Sequence, residues 1–112
     1  SSAIKAKALK NAKVTENELV SFSTTETYAS DSFFIPRNTQ LAAIAKFDNN
    51  RVYFDVNKIL IDRTVYNVQL IAVDADLNDG LVYRPAGKKK FYNIKQGDNF
   101  KFVIKPDSTA SE

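Results

Sequence analysis

The sequence predicts an all-β fold, a mainly antiparallel barrel or sandwich of about seven or eight strands. Three observations predict it. The apolar residues are of the strand-favouring kind, with eight Phe, five Tyr and no Met, Trp or Cys, and side chains of this type fit a pleated, half-buried surface. Apolar and polar residues alternate with period two over segment after segment. Turn-forming residues separate these segments at intervals of about 8–14 residues, the spacing of a small sandwich or barrel.

From the N-terminus, Ala3–Val14 is rich in Ala and Lys, both good helix formers. Yet Ile4, Ala6 and Ala8 alternate with Lys5, Lys7 and Leu9, and no cap residue opens a helix, so this segment is read as a strand with one polar face. Thr15–Glu18 is a turn. Leu19–Thr27 sets Val20, Phe22 and Thr24 on one face against Ser21, Ser23 and Thr25. Tyr28–Phe33 reads as a connection. Phe34–Thr39 is a short extended piece running into a turn, where Pro36 holds Ile35 extended and Asn38 tolerates a left-handed backbone.

Gln40–Phe47 is a strand of small residues, and Asp48-Asn49-Asn50 turns it into Arg51–Ile61. Asp62–Thr64 turns the chain again into Val65–Val73. Asp74–Gly80 is a polar loop, Leu81–Tyr83 a short strand, and Pro85–Gly87 a break. Phe91–Ile94 and Phe100–Lys105, joined by Gln96–Asn99, form a last hairpin. Residues 1–106 are expected to make one barrel domain and residues 107–112 a disordered polar tail. The chain opens Ser-Ser-Ala, which is read as a piece of a longer protein with any leader or anchor outside it.

The chemistry on offer is narrow. There is no His and no Cys, which removes the commonest general base, thiol nucleophile and zinc ligands. Three glycines leave no Gly-rich phosphate cradle. The chain is therefore expected not to be an enzyme, and no catalytic, cofactor-binding or metal residue is assigned. Three features could bind something, and each has a plainer reading. Asp74-Ala75-Asp76-Leu77-Asn78-Asp79-Gly80 spaces oxygen ligands as a calcium loop does, but its Gly is seventh and Pro85 stands where a bidentate Glu is needed, so it reads as a solvated turn. Tyr28, Tyr53, Tyr66, Tyr83 and Tyr92 could form a stacking platform, but read as packing. Lys88-Lys89-Lys90 could meet a phosphate or headgroup, but reads as a solvated turn, because the net charge of only +3 is dispersed along the chain.

Three stretches carry a resemblance. They are Ile35-Pro36-Arg37-Asn38-Thr39-Gln40-Leu41, Asn50-Arg51-Val52 through Ile59, and Asn67-Val68 through Asp76 followed by Asp79-Gly80-Leu81. In this order and spacing the chain resembles the C-terminal domain of the conjugative-transposon TraM group, which is similar to the TrbI-like scaffold subunits of type IV secretion systems. The resemblance covers about residues 3–85. It implies a β-barrel in the periplasm near the outer membrane, on a chain anchored in the inner membrane. Implied partners are other conjugation-channel subunits, an outer-membrane-associated subunit and a lipoprotein among them, and copies of itself in a ring. No direct binding of nucleic acid by this domain is expected. The pore-lining helix pair of TrbI-like relatives has no counterpart, since Val65–Val73 leads into a short polar loop. By itself, a strand-rich chain without catalytic groups works through its surface or strand edges, and one edge or the Ala3–Val14 segment is expected to dock on a neighbour. The competing reading is a secreted carbohydrate- or protein-binding β-sandwich module.

Overall fold

Small and large inward residues alternate around the chain so that a sheet can curl onto itself. The computed structural model describes residues 3–85 and 87–106, and no helix occurs among them. The strands are β1 (Ala3–Ala8), β2 (Ala12–Val14), β3 (Leu19–Thr24), β4 (Tyr28–Ala29), β5 (Phe34–Ile35), β6 (Gln40–Asp48), β7 (Arg51–Ile61), β8 (Thr64–Val73), β9 (Leu81–Val82), β10 (Tyr92–Ile94) and β11 (Asn99–Ile104). Six of them run β6-β3-β1-β11-β8-β7, and β7 pairs back onto β6, closing an antiparallel barrel; β9 adds to the start of β7. Closure leaves no edge along the paired part of the wall.

The core follows from the alternation. Ile4, Ala6 and Ala8 of β1 and Ala43 and Ala45 of β6 point inward and leave room for the rings of Phe22, Phe54, Phe100 and Phe102. Phe22 is fully buried and meets Phe100, Phe102 and Phe54 edge-to-face, with centroids 4.6, 5.2 and 5.9 Å away. The Asn49–Asn50 turn takes positive φ at both positions (50° and 62°) and joins β6 to β7 as a two-residue hairpin, as its composition predicts.

Several boundaries differ from the expected ones. Ala3–Val14 is two strands rather than one. The chain bends at Leu9–Asn11, and β2 leaves the barrel to pair with β10 as a separate two-stranded flap. The expected last hairpin does not form, because β10 pairs with β2 and β11 pairs with β1 and β8. The Gln96–Gly97 turn is bonded instead to the bend near β1: Gln96 N–H donates to the Asn11 side chain and Gly97 N–H to the Ala8 carbonyl, each at 2.8 Å. Tyr28–Phe33 is not a plain connection, since Tyr28–Ala29 pairs with Phe34–Ile35 around a turn held by the Ser30 hydroxyl. The expected tail at residues 107–112 lies outside the described residues.

Beyond the barrel, β7 and β8 form strand pairs only with each other among the described residues. β6 covers β7 as far as Asp55 and β11 covers β8 from Leu70 onward, while the β7–β8 ladder continues to Ile61↔Thr64. A register slip between Val56 and Lys58 marks the departure, as bulges commonly do where a strand bends away. The result is a projecting two-stranded ribbon. At about 3.3 Å per residue the 11-residue β7 spans most of the molecule's 44 Å long axis, against 25 Å in the other two directions.

Candidate interaction site

The site is built from two locked corners and the ribbon between them. The first corner is the Ile35–Thr39 turn. Thr24 is fully buried at the end of β3, and its hydroxyl donates to the Pro36 carbonyl and accepts the Thr39 N–H, both at 2.8 Å. The Thr39 hydroxyl donates to the same carbonyl at 2.6 Å, and Asn38 takes a φ of 69° to make the turn. Every buried side-chain polar atom among the described residues is thus paired. Ile35 fills the core while Phe34, its neighbour, stands 62% exposed.

The second corner joins the other two stretches that carried the resemblance. Arg51 donates to Asp74 Oδ2 at 2.8 Å, to the Asp79 carbonyl at 3.1 Å and to the Gly80 carbonyl at 2.9 Å. Asp74 Oδ1 accepts the N–H groups of Asp76 and Asn78, both at 2.9 Å. Lys105 pairs with Asp79 at 2.7 Å. In the loop that spaces oxygen ligands as a calcium site does, the Asp74 and Asp79 carboxylates are turned onto the chain's own cations and amides. No cluster of three or more metal-ligating side chains occurs among the described residues.

The backbone N–H of Asn78 chiefly, with that of Asp76 and the Arg51 charge, holds the Asp74 carboxyl below its ordinary value of 3.8. A carboxyl lowered by folding stabilises the native state above its unfolded value, and that stability is lost as the pH falls through the lowered one. The wild-type loop therefore loosens only below the ordinary carboxylate range. Arg51→Ala removes two carbonyl bonds from a part-buried side chain, and we expect a loss of about 2 kcal/mol in urea denaturation at neutral pH. The same variant flattens the acid limb of the stability profile, because Asp74 then loses its cation.

On the outer wall one line of the ladder runs Leu19↔Ile44↔Asp55↔Ile71↔Val103↔Ala3 across six strands. Apart from Asp55 it is apolar. Burial among these neighbours, opposed by Lys46 and reinforced by Asp79, pushes the Asp55 carboxyl above its ordinary value. A carboxyl raised by folding costs stability once the pH exceeds its unfolded value. Asp55→Asn is expected to raise the melting temperature at pH 7 by a few degrees, a gain that disappears below about pH 4.

The ribbon tip carries exposed apolar surface. Leu60 and Val65 are directly paired across it and are 62% and 44% exposed. On the opposite face Ile61 and Tyr66 line a shallow cleft with Phe33 and Phe34 of the β4–β5 hairpin. Arg63 at the tip sits at a φ of 68°, a conformation that side chains other than Gly, Asn and Asp seldom adopt.

The tyrosines do not assemble into a platform. Tyr83 is buried against Phe47, Tyr92 stands edge-on to Phe54, Tyr53 lies against Gly80, and Tyr28 and Tyr66 pack on the core from different hairpins. Within Ala3–Val14, β1 has β3 on one side and β11 on the other, so both of its edges are taken, whereas β2 pairs with β10 alone among the described residues. Sequence reasoning missed Thr24, Arg51 and the Leu60–Val65 pair. A buried Thr at a strand end and an Arg leading a strand are weak signals on their own. The partners of Arg51 lie more than 20 residues away in sequence.

No curated protein matches this chain. A sequence model of the conjugative transposon TraM family matches residues 4–100, a span that contains the whole ribbon and both corners except Lys105. The stretches that carried the resemblance thus form the two corners of the barrel, and the chain belongs to the conjugative transposon TraM family.

Proposed function

We propose that this domain is a structural part of a conjugative, type IV-like DNA-transfer channel, acting in the periplasm by contact with copies of itself and with other channel subunits. The observation that carries the proposal is the ribbon. It leaves an otherwise closed barrel and presents Leu60 and Val65 to solvent, and apolar surface held out on a two-stranded arm serves a partner better than it serves the core. Family membership supplies the setting of conjugative transfer. The periplasmic location, the partner subunits and the oligomer follow from the likeness to TrbI-like scaffolds drawn above. A role by contact agrees with a chain that has no His or Cys and whose part-buried ionic groups Arg51, Asp74, Asp79 and Lys105 are already paired with one another.

The test is Leu60→Lys combined with Val65→Lys in the full-length protein of a mating donor. Both side chains lie outside the barrel core, so the melting temperature should hold within a few degrees. Transfer frequency should fall by at least about tenfold, as it does when an interface anchor is removed. Wild-type transfer by a folded, normally abundant variant would overturn the proposal.

A further inference from the structure

The β2–β10 flap holds a concentration of positive charge that the dispersed sequence average conceals. Lys10, Lys13, Lys88, Lys89, Lys90 and Lys95 fall in residues 9–14 and 87–97, which contain no Asp or Glu. The whole chain carries only +3, so the remainder of the molecule is net negative. The fold brings the two segments together: Lys13 pairs with Asn93 across the ladder, its ammonium lies 4.4 Å from the Phe91 ring centroid, and Lys13 and Lys95 border the same shallow hollow. All six side chains belong to exposed residues. Among the described residues none of the six makes a salt bridge, whereas Arg51, Lys105 and Lys5 each do.

We propose that this flap docks on an anionic lipid surface. Its cations are all Lys. Lys is a hydrated point charge that suits a diffuse sheet of headgroups, and the flap lacks the Arg forks that grip single phosphates in two places. An apolar companion sits beside it: Leu19, 69% exposed, borders the same hollow as Lys10, Asn11 and Ala12. Exposed leucine among lysines is the pairing that an interfacial surface uses, with headgroup attraction outside and shallow insertion beneath. Nucleic acid is the less suited polyanion, because the flap offers no free ring for a base to stack on. Lys13 covers Phe91, and Tyr92 is turned inward onto Phe54. The net-negative remainder of the molecule would face away from such a surface and orient the approach.

The test is co-sedimentation of this 112-residue chain with vesicles of phosphatidylcholine alone and with vesicles containing phosphatidylglycerol. Binding is expected only to the second, and it should vanish as salt rises to about 0.5 M. Replacing Lys88, Lys89 and Lys90 together by Gln should weaken binding by about a hundredfold, at roughly fivefold per lysine. Lys58→Gln on the ribbon should leave it unchanged. Leu19→Ser should weaken vesicle binding while leaving any binding to a DNA oligonucleotide as it was. Equal binding to both vesicle types, an unaffected triple variant, or tighter binding to the oligonucleotide than to phosphatidylglycerol vesicles at the same salt would each overturn the inference. None of these outcomes bears on the ribbon, which is tested by transfer frequency.

Discussion

Phe22→Ala is expected to remove a large part of the protein's stability. Phe22 has no exposed surface and its ring is edge-on to Phe54, Phe100 and Phe102, which belong to β7 and β11. Removing the ring loses its transfer energy and leaves a cavity between strands that closed geometry prevents from collapsing, at a cost of about 3–5 kcal/mol. A native domain has roughly 5–15 kcal/mol in total, so this one side chain accounts for at least about a fifth of it. Urea titration followed by far-ultraviolet circular dichroism measures the loss. Phe22→Leu, which refills most of the volume, should restore more than half of it. A Phe22→Ala midpoint close to that of wild type would show that the four-ring cluster is not the centre of the core.

The second large effect is at Gly80. Its φ is 81°, and a Cβ built there would stand 2.9 Å from Tyr53 Cε2 and 3.1 Å from the Val52 carbonyl oxygen. The ring of Tyr53 can swing outward, but the Val52 carbonyl belongs to the barrel wall and cannot. Gly80→Ala therefore combines a left-handed conformation for a side-chain-bearing residue with overpacking, about 2–3 kcal/mol together. Gly97 provides the comparison. It has a similar φ of 89° with nothing within 4 Å of its would-be Cβ, so Gly97→Ala should cost about 1 kcal/mol from backbone conformation alone. Thermal melting of the two variants separates the contributions: at roughly 4–8 °C per kcal/mol for a domain of this length, Gly80→Ala should melt several degrees below Gly97→Ala. Equal melting temperatures would mean that the close approach of Val52 and Tyr53 has no energetic weight.

Much of the barrel could be read before the structure, and the reason is local. Period-two alternation marks inward residues without reference to any partner, so Val20 and Phe22, or Val52, Phe54 and Val56, are identified from their own segments. The Asn49–Asn50 hairpin is equally local, since two residues that accept positive φ suffice. Pairing is not local. Nothing in Phe91–Ile94 says that its ladder partner is Ala12–Val14 rather than the strand that follows it. Likewise, the Ala and Lys pattern of Ala3–Val14 runs through the bend at Leu9–Asn11 without a Gly or Pro to mark it. The ribbon was hidden for a related reason: Leu60 and Val65 continue strands that are genuine, and only the lengths of the neighbouring strands leave them outside the wall.

Closure of the wall also sets an order on synthesis. β1 is held between β3 and β11, with Ala3 opposite Val103, so the barrel's first strand waits for its last. Until residue 104 has cleared the ribosome, β1 and β8 each keep a bare flank, and the nascent chain exposes the edges that the finished molecule conceals. Pairing across nearly the full length of the chain makes the final step slow for a protein of this size. A partner or chaperone that shields those flanks would therefore act before the fold exists.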